Sequence, residues 1–336
     1  MRPDLLELLV CPECNSTFKV EDERRRRGEI QSGELVCAEG HAYPIVDAIP
    51  RFVSEDGYAD AFGLEWNAFR TAHLEKFTGL NYLDEQFRDY IDFPVEQLQG
   101  RLVLDAGCGL GRFSEVVLNH GGRVVAVDLS RAIDAAYENL GGSGDIHFIQ
   151  ADIFRLPFRR QTFDFAYSWG VLHHTPDPPK AFQALAPLVR PGGKLMTFVY
   201  AKYNKAYQTT TEFYRKFTTR LPQRLLLKLC YIAVPLYYVS KIPVIGPFIT
   251  RILLPVSVRP PTHLWRVGNT FDLYSPKYAF TYDHVEVYEW FEKAGYEQIR
   301  PVGDGISFIA TKPPVDEGDW GEASEQARDV QAVGAA

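Results

Sequence analysis

The stretch VLDAGCGLGR, residues 103–112, decides the fold of this chain. A short apolar segment ends at Asp105, and glycine then occupies positions 107, 109 and 111. A buried strand that runs through alternating glycines into a helix lets the backbone approach a ligand closely, and it leaves free N–H groups at the helix start. Nucleotide-binding folds of several kinds share this pattern, so the surrounding sequence has to narrow its meaning.

Strands and helices alternate around this stretch. Helical patterns over 112–119, 131–140 and 179–189 separate apolar segments that are rich in Val, Leu, Ile and Phe. Those segments, which predict buried strands, are RLVLDAG, RVVAVDLS, DIHFIQAD, FDFAYSWG and GKLMTFVY. This alternation indicates a doubly wound parallel sheet. A further helix, opened by Asp283 and closed by Gly295, precedes two more predicted strands, EQIRPVG and ISFIATK.

The composition is that of an ordinary soluble globular protein, with 46% hydrophobic and 24% charged residues among 336. A net charge of −7 argues against overall electrostatic binding to nucleic acid or to acidic membranes, although a local basic patch is compatible with it. No secretory signal is visible, and five cysteines with one Cys-x-x-Cys pair fit a reducing cytosol. We therefore expect a cytoplasmic protein, with peripheral contact to the inner membrane face as a further expectation.

Residues 1–54 form a predicted first unit that contains two close pairs of metal-ligating side chains. These ligands are Cys11, Cys14, Cys37 and His41. Each pair would sit on a tight turn, or knuckle, and a fold that brings the two knuckles together can bind tetrahedral Zn²⁺. The alternative is a set of buried thiols with a surface histidine. Because the set is complete and leaves no open position, a structural role is expected for the zinc. The spare thiols of Cys108 and Cys230 are predicted to be small core residues.

Acidic residues end three of the predicted strands: Asp105, Asp128 and Asp152. A carboxylate placed like that of Asp128 can accept two hydrogen bonds from ribose hydroxyls. The Asp152 side chain can reach an adenine amine, or it can simply cap a helix. The glycines lack the Gly-x-Gly-x-x-Gly spacing of a dinucleotide site, since Arg112 occupies the place of the third glycine.

With these motifs the chain resembles the class I S-adenosylmethionine-dependent methyltransferases, in their type 11-like branch. The motifs LDAGCGLGR, ADIFRLPF, FDFAYSWGVLHHTPDP and LVRPGGKL carry the resemblance in order over residues 98–200, and it extends more loosely to residue 311. It implies a Rossmann-like α/β fold with a seven-stranded sheet whose last strand is antiparallel. The N-terminal unit resembles short zinc-ribbon modules that precede some methyltransferase domains, one group of which methylates guanine in ribosomal RNA.

The resemblance also implies S-adenosylmethionine as the methyl donor and suggests how the chain holds it. Gly107 and Gly109 would line its methionine and ribose part. Asp105 would meet the amino group through the strand end, and Asp128 would take the ribose. Asp152 and Ile153 would flank adenine, and Ser168 and Trp169 would close the pocket. The complete predicted set is Asp105, Gly107, Gly109, Asp128, Leu129, Asp152, Ile153, Ser168 and Trp169.

Two histidines, His173 and His174, follow the fourth predicted strand, at the carboxyl edge where an acceptor must come. Either could be the base that a hydroxyl acceptor requires. The alternative is that the segment HHTP is a structural turn with a satisfied imidazole, and the resemblance favours it because family members with different acceptors share the motif. Weaker candidates are His263, Tyr274, Tyr282 and His284.

Residues 201–270 differ from the rest of the chain in composition. The region contains eleven basic residues and a single acid, Glu212, together with the apolar segments LLLKLCYIAVPLYYV and IPVIGPFITRILLPVSV. This mixture is typical of an interfacial element, so we expect an α-helical insert that contacts a membrane surface through 221–258. A plain cap over the active site and a nucleic-acid surface that includes the Arg24–Arg27 run are the alternatives.

The predicted function is methyl transfer to a small-molecule or lipid-linked acceptor. An RNA methyltransferase that docks through the zinc ribbon and the arginine run is the alternative, and a non-catalytic scaffold is a third hypothesis. The predicted parts are a zinc-ribbon-like module (1–54), a helical linker or lid (55–97), the S-adenosylmethionine-binding core (98–200), the basic apolar insert (201–270), the remainder of the methyltransferase fold (271–311) and a disordered tail (312–336).

Overall fold

The structure is a computed structural model that describes residues 1–53, 63, 71, 74–202, 205–258, 260 and 262–314. In the predicted helical linker, Phe62, Trp66 and Phe69 recur at helical spacing and so would share one face. These three residues lie outside the described residues, as does the tail beyond residue 314.

The N-terminal part is an antiparallel sheet preceded by a 3₁₀ turn at Pro3–Glu7. Its strands, in spatial as well as chain order, are β1 (Phe18–Arg26), β2 (Glu29–Cys37), β3 (Ala42–Val46) and β4 (Ile49–Pro50). Arg27 and Gly28 connect β1 to β2 with φ angles of 52° and 85°. Two left-handed residues match the twist of a tight hairpin, so the arginine run stands at an exposed hairpin tip, as predicted.

The second sheet has seven strands, which confirms the predicted fold class. They are β5 (Leu102–Ala106), β6 (Arg123–Asp128), β7 (Ile146–Gln150), β8 (Phe163–Trp169), β9 (Val189–Val199), β10 (Glu297–Pro301) and β11 (Ile306–Thr311). Their spatial order is β10-β11-β9-β8-β5-β6-β7, with β5 to β9 parallel and β11 antiparallel to both neighbours. The chain order reverses between β5 and β8, where the carboxyl ends of parallel strands open a crevice for ligands.

Helices flank this sheet and build the insert. They are α1 (Glu75–Thr78), α2 (Tyr82–Asp89), α3 (Arg112–Asn119), α4 (Ala132–Leu140), α5 (Pro178–Leu185), α6 (Lys205–Thr218), α7 (Gln223–Cys230), α8 (Ala233–Val239), α9 (Ile245–Phe248), α10 (His263–Tyr274) and α11 (His284–Lys293). Short 3₁₀ turns lie at Val95–Leu98, Ile153–Arg155, Leu172–His174 and Ala186–Leu188, and a π turn lies at Ile249–Leu253. The predicted opening of α11 is confirmed, since Asp283 forms a reciprocal capping box with Glu286.

The helical insert comprises α6 to α9, the π turn and α10. The boundary that composition placed at residue 270 falls inside α10, because the change in charge pattern does not coincide with the end of a helix. In the part of the chain that the structure covers, no helix combines the length and the apolar content needed to cross a bilayer.

The N-terminal sheet packs onto the edge of the seven-stranded sheet. Phe52 N–H donates to Gln150 O at 2.8 Å, and Val10 N–H donates to Pro157 O at 2.9 Å. Between these contacts the Arg51 guanidinium is buried, at 2.6 Å from the Asp134 carboxylate on α4 and 3.0 Å from Gln150 Oε1. A buried guanidinium with such partners fixes how the two sheets meet.

Replacing Arg51 by alanine should destabilise the protein by roughly 2 to 4 kcal/mol, because several charge-assisted hydrogen bonds are lost from a buried position. Chemical denaturation followed by circular dichroism measures this change. The matched control is Arg131→Ala, since Arg131 contacts the same Asp134 carboxylate at 2.5 Å from a side chain that is 59% exposed. An exposed pair contributes about 0 to 1 kcal/mol. Equal losses for the two variants would show that Arg51 does not join the sheets.

Candidate active site

The glycine loop between β5 and α3 forms the floor of the crevice. Gly107 has a φ of 91°, and a Cβ built on it would lie 2.3 Å from Val171 Cγ2. Gly111 has a φ of 89°, and a Cβ there would lie 2.7 Å from Leu140 Cδ1. Both positions therefore need glycine for backbone conformation and for space. The sequence pattern is explained by a loop pressed between the chain after β8 and helix α4.

Asp128 joins this loop to the end of β6. Its Oδ2 accepts a hydrogen bond from Gly109 N–H at 2.8 Å. Its Oδ1 accepts hydrogen bonds from the Ser130 N–H and Oγ, both at 2.8 Å. The structure thus brings together Gly109, Asp128 and the following Leu129, which sequence analysis assigned to one site. A half-buried carboxylate at this place can accept hydrogen bonds from a ribose.

Asp105 lies behind the loop, inside the protein. It is 3% exposed, and Ser114 Oγ on α3 donates to its Oδ2 at 2.7 Å. Burial raises the pKa of this carboxyl to about 6, against the opposing effect of the Ser114 hydrogen bond. The side chain faces α3, so the predicted contact with an amino group would be made by the strand end.

Asp152 follows β7 and begins the 3₁₀ turn at Ile153–Arg155. One carboxylate oxygen, Oδ1, accepts a hydrogen bond from Phe154 N–H at 3.1 Å. The helix-cap alternative for Asp152 is therefore realised. The contact uses one of two oxygens, so a second role toward an adenine amine is compatible with it. Ile153 is buried beside it, at 8% exposure.

Ser168 and Trp169 lie at the end of β8 and stabilise the elements that form the crevice. Ser168 Oγ donates to Ala106 O at 2.9 Å and so fastens β8 to β5. The Trp169 ring stacks on Phe113 of α3, with centroids 3.9 Å apart and planes at 20°. It also contacts Tyr90 at 4.1 Å. The structure places both side chains in the framework under the loop, whereas the sequence analysis expected them to close the pocket.

His173 stands at the carboxyl edge, in the 3₁₀ turn that follows β8. Its ring is buried and stacks on Tyr200 at 3.8 Å, with planes at 29°. Neither ring nitrogen has a hydrogen-bond partner within the described structure. Burial lowers the pKa of His173 well below its usual value, and the neighbouring His174 lowers it further. The imidazole is therefore neutral near pH 7 and is available as an acceptor of protons or hydrogen bonds.

His174 occupies a different environment. Its Nδ1 lies 2.8 Å from Tyr278 O, so this nitrogen carries the hydrogen of the neutral ring. Its Nε2 lies 3.7 Å from an oxygen of Asp272 on α10. Burial lowers the pKa of His174, and the Asp272 charge opposes that shift. The backbone carbonyl thus fixes the orientation and the tautomer of this ring.

Sequence reasoning missed three residues around these histidines. Tyr200, at the end of β9, donates its hydroxyl to Asp272, and Arg215 of α6 donates to Pro276 O. Burial lowers the pKa of the Arg215 guanidinium, against the effect of Asp272. One signal was present in the sequence, because Asp272 is the first acid after Glu212 in a strongly basic region. A single carboxylate in a basic region is a candidate for a side chain that hydrogen bonds or ion pairs hold in one position.

The side chains of the weaker candidates make their described contacts elsewhere, although Tyr282 N–H donates to Tyr200 O at 2.8 Å. Tyr274 donates its hydroxyl to Pro255 O at 2.6 Å inside the insert. Tyr282 packs edge-on against Trp290, with centroids 4.7 Å apart. His263 and His284 are exposed. The described contacts of these four residues do not include the glycine loop or the two histidines after β8.

The four predicted zinc ligands converge at the N-terminal knuckles. Their ligand atoms all lie within 4.8 Å of one another. Sγ of Cys14 lies 3.6 Å from Sγ of Cys37, and Nδ1 of His41 lies 3.4 Å from Cys37 Sγ and 3.6 Å from Cys11 Sγ. Tetrahedral zinc would place two sulfurs about 3.8 Å apart and a sulfur and a nitrogen about 3.5 Å apart. The ligand set therefore fits a zinc ion.

Two protein-family models match the chain. The "Methyltransferase domain" model matches residues 104–197, and the "Trm112p-like protein" model matches residues 2–47. The first covers the sheet and loops that form the crevice, and the second covers the four zinc ligands. The two regions with the most specific sequence motifs are thus matched to protein families from the sequence alone, without use of the structure.

Curated relatives with similar sequences include proteins named as methyltransferases. A "Ubiquinone biosynthesis O-methyltransferase" of Coxiella burnetii is 33% identical over 150 residues, which are 43% of this chain and 60% of the relative. An uncharacterized chloroplastic methyltransferase of Arabidopsis thaliana is 25% identical over 63% of this chain and 59% of its own length. This chain thus spans about three fifths of these relatives.

Among solved structures, the complex between the Haloferax volcanii Trm112 methyltransferase activator and a methyltransferase contains a similar chain. Its TM-score is 0.45 at 16% identity, and the alignment covers 76% of this chain and 98% of that one. The sequence matches and the strand order together show a methyltransferase domain at residues 104–197, preceded by a Trm112p-like module at residues 2–47.

Proposed function

We propose that the chain transfers the methyl group of S-adenosylmethionine to a hydroxyl of a small-molecule or lipid-linked acceptor. The observation that carries this proposal is the buried, neutral His173 imidazole in the turn after β8, stacked on Tyr200, with neither nitrogen hydrogen-bonded in the described structure. The relatives named ubiquinone biosynthesis O-methyltransferase support oxygen as the methylated atom. S-Adenosylmethionine supplies an activated methyl group, so the protein has to position the acceptor and remove its proton.

We assign proton removal to His173, which lies in the turn after β8. Val171, two residues before it, closes over Gly107 at the floor of the crevice. As the new oxygen–methyl bond forms and the sulfur–methyl bond breaks, the hydroxyl proton passes to a ring nitrogen of His173, and S-adenosylhomocysteine leaves. His174 cannot accept a proton at Nδ1, because that nitrogen already donates to Tyr278 O. The basic nitrogen of His174 is then Nε2, which faces Asp272 Oδ1 on α10 at 3.7 Å. We assign proton transfer to His173, because its two ring nitrogens have no such neighbour among the described contacts, and a positioning role to His174.

Replacing His173 by alanine should lower kcat about 100-fold or more, since general bases commonly contribute that much. Labelled methyl transfer to hydroxylated quinones, with and without an isoprenoid tail, measures the effect. Titration calorimetry with S-adenosylmethionine checks that the variant still folds and binds the donor. The exposed His284→Ala variant is the control and should keep full activity.

The pH profile distinguishes a buried His173 base from an ordinary histidine base, and the alanine variant distinguishes a base from a structural turn. A base acts in its neutral form, and burial lowers the pKa of His173 well below 6.5. The neutral form therefore persists as pH falls, and kcat/KM should stay flat from pH 7 to pH 6 rather than fall as with an ordinary histidine. Unchanged kcat in a folded His173→Ala variant would show that the HHTP segment is a structural turn.

An RNA methyltransferase is the alternative proposal, because Arg24–Arg27 stand exposed at the hairpin tip. Acidic neighbours reduce the positive charge there, since Arg25 pairs with Glu23 at 3.0 Å. Salt-dependent binding of RNA by the full chain, lost on Arg24→Ala with Arg26→Ala, would favour this alternative.

A further inference from the structure

The insert exposes an unusual amount of apolar surface. Twenty large hydrophobic side chains are exposed in the described part of the chain, and thirteen of them lie between residues 213 and 253. They are Phe213, Phe217, Leu225, Leu229, Tyr231, Ile232, Tyr238, Ile242, Val244, Ile245, Phe248, Ile252 and Leu253. Scattered apolar residues on a surface are ordinary, but a concentration of this kind marks a binding surface.

These side chains remain exposed although the insert has its own small core. Val267 and Phe271 of α10 pack with Leu226 of α7 in that core, and all three are buried. Leu225 and Leu229, on another face of α7, are 45% and 54% exposed. A plain cap would bury such residues against the methyltransferase sheet. Here one face of α7 is already packed in the core of the insert, and a second apolar face remains exposed.

The exposed residues belong to packed, neighbouring elements. The rings of Phe213 and Phe217 contact each other on α6, with centroids 5.5 Å apart. Tyr214 Oη, on the same helix, donates to Leu253 O at 3.0 Å and so ties α6 to the π turn. The π turn directly continues α9, which carries Ile245 and Phe248. The apolar residues of α6, α9 and the π turn are therefore held in one structural unit.

Positive charge accompanies this surface. Residues 205–258 contain eight lysines and arginines and one acid, Glu212. Seven of the basic residues are exposed: Lys205 at the start of α6 and six others, and none of those six forms an ion pair with the described residues. The six are Lys216, Arg220, Arg224, Lys228, Lys241 and Arg251. Cations next to exposed leucine, isoleucine and aromatic side chains suit a binding partner whose interior is apolar and whose outer layer is anionic.

We propose that this surface, comprising α6 to α9 and the π turn, binds an anionic lipid bilayer. The apolar side chains enter the region below the headgroups, and the six cations contact the headgroups. A second copy of the chain fits less well, because a two-fold contact would set the same cations against each other. The proposal deepens the proposed function by naming a bilayer as the place where a lipid-linked acceptor is met, and its relevance to catalysis rests on that function.

The test is cosedimentation of the full chain with phosphatidylcholine vesicles, with and without phosphatidylglycerol, in the absence of methyl donor and acceptor. We expect binding only to the anionic vesicles, and weaker binding as salt rises. Ile245→Glu with Phe248→Glu should weaken binding on the order of tenfold or more. Both side chains are exposed, at 57% and 54%, so the fold should persist. The matched control is Val285→Glu on α11, at 66% exposure outside the insert, which should bind as the unaltered chain does.

Methyl transfer to a water-soluble hydroxylated acceptor, measured in parallel, separates this proposal from the proposed function. The Ile245→Glu/Phe248→Glu variant should keep that activity while losing vesicle binding. A well-folded chain that stays in the supernatant with anionic vesicles would overturn the docking proposal alone. So would a dimer in sedimentation velocity that the variant dissociates, if vesicles are not bound.

Discussion

Gly107→Ala should weaken S-adenosylmethionine binding by roughly 30- to 1000-fold. The added Cβ would lie within 3 Å of three atoms of the Val171 side chain, and the φ of 91° is strained for any residue with a Cβ. Overpacking and left-handed strain together cost about 2 to 4 kcal/mol. The loop can relieve this strain by leaving its binding geometry, which converts the cost into the stated loss of affinity. Titration calorimetry on the purified variant measures it.

The control for this prediction is Gly100→Ala. Gly100 also has a positive φ, of 70°, but a Cβ there would meet no atom within 4 Å. It carries the backbone strain without the collision, and it lies before β5 rather than in the loop. Gly100→Ala should bind S-adenosylmethionine normally, and Gly107→Ala with Val171→Ala should recover part of the lost affinity. Normal binding by Gly107→Ala would show that the loop does not contact the donor.

The sheet and the glycine loop could be predicted from the sequence, because both depend on local pattern. The predicted helix over 112–119 coincides with α3, since Gly111 can adopt the left-handed conformation that precedes it. Right-handed crossovers leave only a handful of arrangements for apolar strands that alternate with helices. The capping box at Asp283 is a local signal of the same kind.

The acceptor side could not be predicted in the same way. Tyr200 and Asp272 are 72 residues apart, and only the folding of the insert brings them together. In α7 the leucines of LLLKL spread over more than half of the helix circumference, so the sequence pattern does not tell that Leu226 is buried while Leu225 is exposed. The burial of Arg51 is likewise set by a partner on α4, far away in the sequence. Such features depend on tertiary contacts, which no short pattern encodes.

Removal of zinc should unfold the N-terminal module and destabilise the methyltransferase domain with it. The module and the seven-stranded sheet share one hydrophobic core, in which Leu9 and Cys11 belong to the same cluster as Leu104 and Ile149. Val10 N–H also donates to Pro157 O at 2.9 Å across the joint. Structural zinc contributes an apparent 10 to 16 kcal/mol in zinc-finger peptides, so its loss exceeds the total stability of a typical domain.

A zinc-loaded preparation should contain about one zinc per chain, and a strong chelator should lower its thermal midpoint by more than about 10 °C. Cys14→Ser should lose the metal and show the same low midpoint, because a thiolate ligand is missing from a closed tetrahedral set. Cys230→Ala is the control: Cys230 is buried in the insert, away from the knuckles, so this variant should retain zinc. Metal analysis together with differential scanning calorimetry decides between the outcomes. If the unaltered chain takes up no zinc while its four ligands are reduced and accessible to metal, the shared core alone must hold the module in place, and Cys14→Ser should then leave the thermal midpoint almost unchanged.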